Sequence, residues 1–378
     1  MRIILALLIL SVLYSGAALA QNVYIANSGT NTVETPSGSV DVGPDPVGIA
    51  ASSNGEFVYV VNSGNGTVSV IQTSDNTVVA TVDVGSPTPP LPPRGIAVTP
   101  DGKFVYVANP SDNNVSVIQT SNNMVVATVD VGNVPLGIAI PNNDHVFVAN
   151  SLSGTLSIIE ISSHTVVATV TKVGDTPVAL AAGPDGDFVF VANSDSHNVN
   201  IVPVELAITD PTSEWVTVDV GECPEGITTS TNSTLNLNLV YVSNSCSNTV
   251  TIINLPFEMI EATVPVADSP AGIAATPNGD YIYVAHIDSN MVGVIEFEGS
   301  SWSVTDSFPT GDKPLGVAIA PSVGLEGPDP EPPMGDGGGS SSSTCALAGP
   351  GATNSYSLML LFIPAIILIR RFWRRRTN

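Results

Sequence analysis

The stretch FVYVANPSDNNVSVIQT, residues 104–120, decides the reading of this chain because it keeps returning. FVYVVNSGNGTVSVIQT stands at 57–73, VFVANSLSGTLSIIEI at 146–161, FVFVANSDSHNVNIV at 188–202 and LVYVSNSCSNTVTII at 239–253. YIYVAHIDSNMVGVI at 281–295 is a degenerate copy, and VYIANSGTNTV at 23–33 is a fragment. The clearest unit runs RGIAVTP (94–100), a DG turn, KFVYVAN (103–109), a polar loop, NVSVIQT (114–120), an SNN turn and MVVATVDVG (124–132). Each segment is rich in Val, Ile and Thr and bounded by Gly, Asn, Asp or Pro, the pattern of short antiparallel strands. The PDG and PNG turns at 100–102, 184–186 and 277–279 are hairpin signals, because Gly accepts positive φ. A period of roughly 41 residues with four strands per unit predicts a β-propeller.

Two counts of the repeat agree. The YV-x-N strand ends at Asn27, Asn62, Asn109, Asn150, Asn193 and Asn244, with His286 in the seventh place. The GIA strand carries Gly48, Gly95, Gly137, Gly226, Gly272 and Gly316, with Ala179 in the seventh. The two series are offset: the chain starts without a GIA strand and ends on GVAIAPS (316–322) without a YV-x-N partner. The expectation is an all-β, seven-bladed propeller of four-stranded antiparallel blades over 21–321. Its last blade is closed by pairing Gly316–Pro321 with Val23–Asn27, which removes two free sheet edges. The strand Asn residues read as turn formers at the end of the second strand.

The ends read as signals. Residues 1–20 have Arg2, an apolar core from Ile3 to Tyr14 and an A-x-A site at Ala18–Ala20, the features of a cleaved signal peptide. Residues 322–344 are rich in Pro, Gly and Ser and read as a linker. Residues 345–378 hold Cys345, an apolar run ending in LMLLFIPAIILI (358–369), and Arg370, Arg371, Arg374, Arg375 and Arg376. From Ala346 the run is long enough for a transmembrane helix, and the arginines place its end in the cytoplasm. The expected location is the cell envelope, with the propeller outside and the tail in the membrane or sorted to the surface.

Charge narrows the partners. The net charge is -24, and the 34 acidic residues all lie between Glu34 and Asp336, where Arg94, Lys103, Lys172 and Lys313 are the basic residues. Thirty-four against four leaves that span about 30 charges negative. Nucleic acid, which requires basic patches, is excluded as a partner. An envelope protein or polysaccharide is expected instead.

The phrases YVAN, NNVSVIQT, NMVVATVDVG and PLGIA resemble the YVTN-type β-propeller repeat of exported, surface-layer-like proteins, over about residues 23–321. Blade five departs from it by an insertion at 229–238, and blade six by His286. The tail is similar to three-part bacterial sorting signals of Cys, span and Arg cluster. That resemblance implies a membrane protease cutting near Cys345, with transfer to a surface anchor.

Chemistry is sparse. On a propeller, the turns leading into the first strand and the loops between strands two and three share a face. The lead-in turns carry Asp45, Asp175, Glu222, Glu225, Asp268 and Asp312, against Arg94 and Lys313. They are expected to ring one mouth of the central channel. Converging carboxylates attract Ca²⁺ or sugar hydroxyls, so no cofactor is expected other than a Ca²⁺ that such a rim would draw in. Solvated loops in an acidic protein are acidic in any case, which is the plain alternative. His145, His164, His197 and His286 read as surface histidines that do not converge on a metal, and no G-x-S-x-G occurs. Cys223 and Cys246 lie in the lead-in turn and second loop of one blade and are expected to form a disulfide. The functional expectation is a surface-displayed, non-enzymatic binding or scaffolding module. The alternative is a lactonase-type hydrolase that uses the channel mouth, for which Arg94 and Glu225 would be the starting groups.

Overall fold

The computed structural model describes residues 22–86, 94–255 and 258–321. The signal peptide, the linker, Cys345, the tail arginines and the expected membrane span lie outside the described residues. Among the described residues, no helix is long and apolar enough to cross a membrane.

Seven four-stranded antiparallel sheets form the structure. Blade one comprises Pro46–Ala51, Phe57–Asn62, Thr67–Gln72 and Thr77–Asp83, in order from the inside out. Blade two starts at Ile96–Val98, blade three at Pro135–Ala139, blade four at Pro177–Ala182, blade five at Pro224–Asn232 and blade six at Pro270–Ala275. Blade seven is the split one. Pro314–Ala320 pairs antiparallel with Asn22–Asn27, with Val23 opposite Ile319 and Ile25 opposite Val317. Thr32–Thr35 and Gly38–Asp41 complete that sheet. The closure expected from the offset counts is present.

The second strand reads as nearly continuous apolar sequence because both of its faces are buried. Side chains alternate along a strand, so Tyr106 and Ala108 face blade three while Val105 and Val107 face blade one. The apolar core is divided accordingly. Among the described residues it forms seven clusters, each filling one junction between adjacent blades, and the junction of blades seven and one closes the circle. The first-to-second-strand turns follow expectation, with Gly102, Gly186 and Gly279 all at positive φ.

Two departures are local. The blade-five insertion lengthens a hairpin, pairing Thr231 with Asn238 and Asn232 with Leu237. In blade four, a short helix over Val204–Thr209 stands between the third and fourth strands. It buries Val204 and Ala207 beside Trp215 against blade three. The repeat pattern contains no signal for this helix.

The sequence reading has the repeat Asn residues as turn formers at the end of the second strand. The backbone carbonyls of Asn62 and Asn109 do begin that turn, but the Asn side chains are buried and act between strands. Asn62, Asn150, Asn193 and Asn244 are fully buried. Asn62 Nδ2 donates to Thr67 Oγ1 and to Ser69 Oγ, both at 2.9 Å. Asn193 Nδ2 donates likewise to the side-chain oxygens of Asn198 and Asn200. The amide thus ties the second strand to the third. It also lies under the glycine of the lead-in turn: a Cβ on Gly132 would come within 2.6 Å of Asn150 Cγ. His286 is likewise buried, at 2% exposure, and not a surface histidine. In its blade, Ala267 stands in the turn where the others have glycine, and Gly293 stands where blades one to five have Ser, Thr or Asn and blade seven has Glu34. The imidazole takes the room that Gly293 leaves, since a Cβ there would be 3.0 Å from His286 Nε2.

Candidate functional site at the channel mouth

The innermost strands meet at very short range. A Cβ on Gly48 would lie 1.9 Å from the Arg94 carbonyl oxygen, one on Gly272 would lie 2.1 Å from that of Leu315, and one on Gly316 2.3 Å from that of Val47. These approaches leave no room for a side chain at this position in six of the seven first strands, which explains the glycine of the GIA strand; in blade four the place is held by Ala179. They also narrow the axis to a cavity of about 310 Å³.

The residue just before that glycine borders the cavity in every blade. Around the ring these residues are Val47, Arg94, Leu136, Val178, Glu225, Ala271 and Leu315. Five are apolar. Arg94 on blade two and Glu225 on blade five are the charged groups in the lining, and both are exposed to solvent. Neither side chain has an ion-pair or hydrogen-bond partner among the described residues.

The other carboxylates expected at the mouth stand farther out on the same face. Asp45, Asp175, Glu222, Asp268 and Asp312 are exposed and do not line the cavity. Asp45 and Asp312 lie over the second loops of their own blades, where a Cβ on Gly64 or Gly29 would meet their Oδ2 atoms at 2.9 and 2.5 Å. Asp268 Oδ1 accepts a 3.0 Å hydrogen bond from Asn248 Nδ2. The backbone N–H groups of Asp175 and Glu222 donate to Ser196 Oγ and Ser247 Oγ. Turn register separates the two groups: the position before the glycine borders the cavity, and the position before the turn's left-handed residue faces solvent. Asp45 itself holds a left-handed φ of 51°, as do Thr176, Cys223, Ser269 and Lys313 at the matching places.

The structure contains the Cys223–Cys246 disulfide, with Cα atoms 5.3 Å apart. Cys223 is two residues before Glu225, so the bridge fastens the turn that carries one of the two channel charges. Ser245 N–H and Oγ–H both donate to the Cys223 carbonyl, and Cys223 N–H donates to His197 Nδ1 at 3.2 Å. His164 lies elsewhere, half-buried, with Nδ1 2.9 Å from Tyr106 Oη and its ring edge-on to Phe104. Burial lowers its pKa. Burial also lowers the pKa of His286, opposed by a hydrogen bond to the Ala267 backbone and by the Asp268 carboxylate. Among the described residues, no three His, Cys, Asp or Glu side chains gather closely enough to hold a metal ion.

Comparison with known proteins agrees with this architecture. The family model of lactonase, 7-bladed beta-propeller, matches residues 28–130. Antigen Lp49 of Leptospira interrogans is 25% identical over 96 residues, 22% of this chain and 21% of that protein. The chain therefore spans about a fifth of the length of the curated relative it matches. A functionally unknown protein from Desulfotomaculum acetoxidans superposes with a TM-score of 0.66 at 19% identity, covering 80% of this chain and 99% of that one. A candidate 6-phosphogluconolactonase from Bacteroides uniformis gives 0.64 at 18%, covering 79% and 99%. Kuenenia stuttgartiensis hydrazine synthase gives 0.63 at 20%, covering 75% and 92%. At these identities the likenesses show a shared seven-bladed propeller scaffold, on which the channel mouth of this chain carries its own pair of charges.

Proposed function

We propose that this protein is an exported, envelope-displayed binding module whose site is the channel mouth framed by Arg94 and Glu225. The observation that carries the reading is the pair of opposite charges, Arg94 and Glu225, that line a cavity of about 310 Å³ together with five apolar residues at the same ring positions and Ser194. Small-molecule sites are concave and mostly apolar, with a few placed polar groups. The wider acidic disc supports association with an envelope protein or polysaccharide, with Ca²⁺ as the counter-cation, and the tail would hold it at the membrane or deliver it to the surface.

A lactonase-type hydrolase is the second reading, favoured by the family model over residues 28–130, which include Arg94. Lactone opening needs a base for water and a donor for the developing oxyanion within reach of one carbonyl. Glu225 and Arg94 could begin such a set, but two blades lie between them along the shorter arc, and among the described residues no imidazole stands in the cavity lining. The test is turnover of five- and six-membered lactones by the full chain, followed by acid release. The binding reading expects the rate of buffer alone. A catalysed rate that is lost in Arg94→Ala would replace it with the hydrolase.

A further inference from the structure

We infer that the ligand of the channel mouth is a short peptide with free termini, its carboxylate directed at Arg94 and its ammonium at Glu225. The inference rests on the binding reading above and adds the chemical class.

Three observations lead to it. First, the two charges are opposite in sign and face one cavity, and neither is satisfied within the described protein. A ligand that carries one charge leaves the other group unanswered, whereas a zwitterion answers both. Second, Arg94 is the one arginine of residues 21–321, a region where 30 acidic residues stand against four basic ones, about 26 charges negative. A net anion is repelled by that field, and a net cation is drawn to acidic groups over the whole surface. A net-neutral zwitterion is indifferent to the field and is selected by the mouth alone.

Third, the charges stand on blades two and five, with Leu136 and Val178 along one arc between them and Ala271, Leu315 and Val47 along the other. An α-amino acid carries both charged groups on a single carbon and suits charges held on opposite sides of the ring poorly. A peptide places them at the two ends of a chain whose apolar side chains meet the apolar arcs. The cavity is at the small end of the range for ligand sites, which favours a peptide of very few residues.

The test is calorimetric titration of the full chain with the dipeptide Ala-Leu, its N-acetyl form, its C-terminal amide and the doubly blocked form. The free dipeptide is expected to bind, and each block to weaken it by about tenfold or more, an effect reduced at high salt. Arg94→Ala should weaken the free dipeptide as amidation does, with little further loss for the amide. Glu225→Ala should parallel acetylation in the same way, a coupling that general loss of structure would not produce. Equal affinity for the blocked peptides overturns the inference. So does dipeptide binding that both variants leave intact, because the site is then elsewhere. No peptide binding, with capture of another solute that Arg94→Ala abolishes, overturns the peptide and keeps the mouth. No capture of any solute overturns both.

Discussion

Gly316, on the last strand of the propeller, lies so close to Val47, on the first strand of blade one, that a Cβ on it would meet the Val47 carbonyl oxygen at 2.3 Å. The same contact links Gly48 to Arg94 and Gly272 to Leu315. This relation seals the ring and sets the width of the channel, so fold and candidate site depend on the same glycines.

Replacing one of them should therefore affect both. Gly48→Ala puts a methyl against the Arg94 backbone, with little freedom for either strand to yield. Overpacking of this kind costs about 1–3 kcal/mol. The expected outcome is a lower midpoint in urea unfolding, with an unchanged slope, and altered ligand affinity at Arg94. An unchanged midpoint would mean that the first strands are farther apart than described.

The buried Asn ladder should be expensive to remove. Asn109 Nδ2 donates to the Val84 carbonyl and to the side chains of Asn114 and Ser116. Asn109→Ala removes the donor from the buried Ser116 hydroxyl and from Asn114 Oδ1, while the Val84 carbonyl keeps its bond from Ser116 Oγ, a loss of about 1–3 kcal/mol. Asn65→Ala, in an exposed loop, should cost far less. Thermal unfolding of the two variants compares them directly, and similar losses would contradict the assigned role.

Blade six makes a prediction about acid. The folded-state pKa of His286 lies below its unfolded value of about 6.5, because burial disfavours the imidazolium. As pH falls through 6.5, the unfolded chain takes up the proton first, so stability is lost from there down to the folded pKa. His164, whose pKa is also lowered by burial, acts in the same direction. The triple change Ala267→Gly, His286→Asn and Gly293→Ser restores the pattern of the other blades. It should reduce the pH dependence of the melting temperature between pH 7 and 5, leaving the part due to His164. An unaltered slope would show that His286 is not a source of it.

The disulfide closes a loop of 23 residues in sequence separation. Its removal by Cys223→Ser with Cys246→Ser should cost about 3 kcal/mol by the loop-entropy estimate. It should also loosen the turn that carries Glu225. The check is unfolding with and without reductant: the natural chain should respond and the double variant should not. Equal midpoints for the oxidised natural chain and the double variant would contradict a stabilising bridge.

Much of this fold was legible because the repeat writes it seven times. The offset between the YV-x-N and GIA series predicts the shared blade, and Val23 duly pairs with Ile319. The Cys223–Cys246 pairing was legible for a related reason, since the repeat assigns both residues to one face of one blade. The inward turn of a side chain was harder to read. Asp45 and Val47 are two residues apart in one turn, yet Val47 lines the cavity and Asp45 faces solvent. The left-handed backbone at Asp45 changes the direction of the chain between them. A lead-in turn taken as one unit hides that distinction, so the sequence alone does not separate the cavity-lining positions from Asp45, Asp175, Glu222, Asp268 and Asp312. The burial of the Asn side chains was hidden because Asn beside Ser and Gly is ordinarily a turn residue. The available clue was the hydroxyl or amide recurring seven positions later, as in Asn62 with Ser69 and Asn193 with Asn200.

The most direct test of the central claim is native mass spectrometry of the full chain after incubation with the small-molecule fraction of an envelope extract. The expected result is a discrete adduct on the natural protein that disappears in the Arg94→Ala, Glu225→Ala double variant, while that variant's melting temperature is unchanged. An adduct of the same mass and abundance on both proteins would contradict the claim that this propeller binds its ligand at the channel mouth.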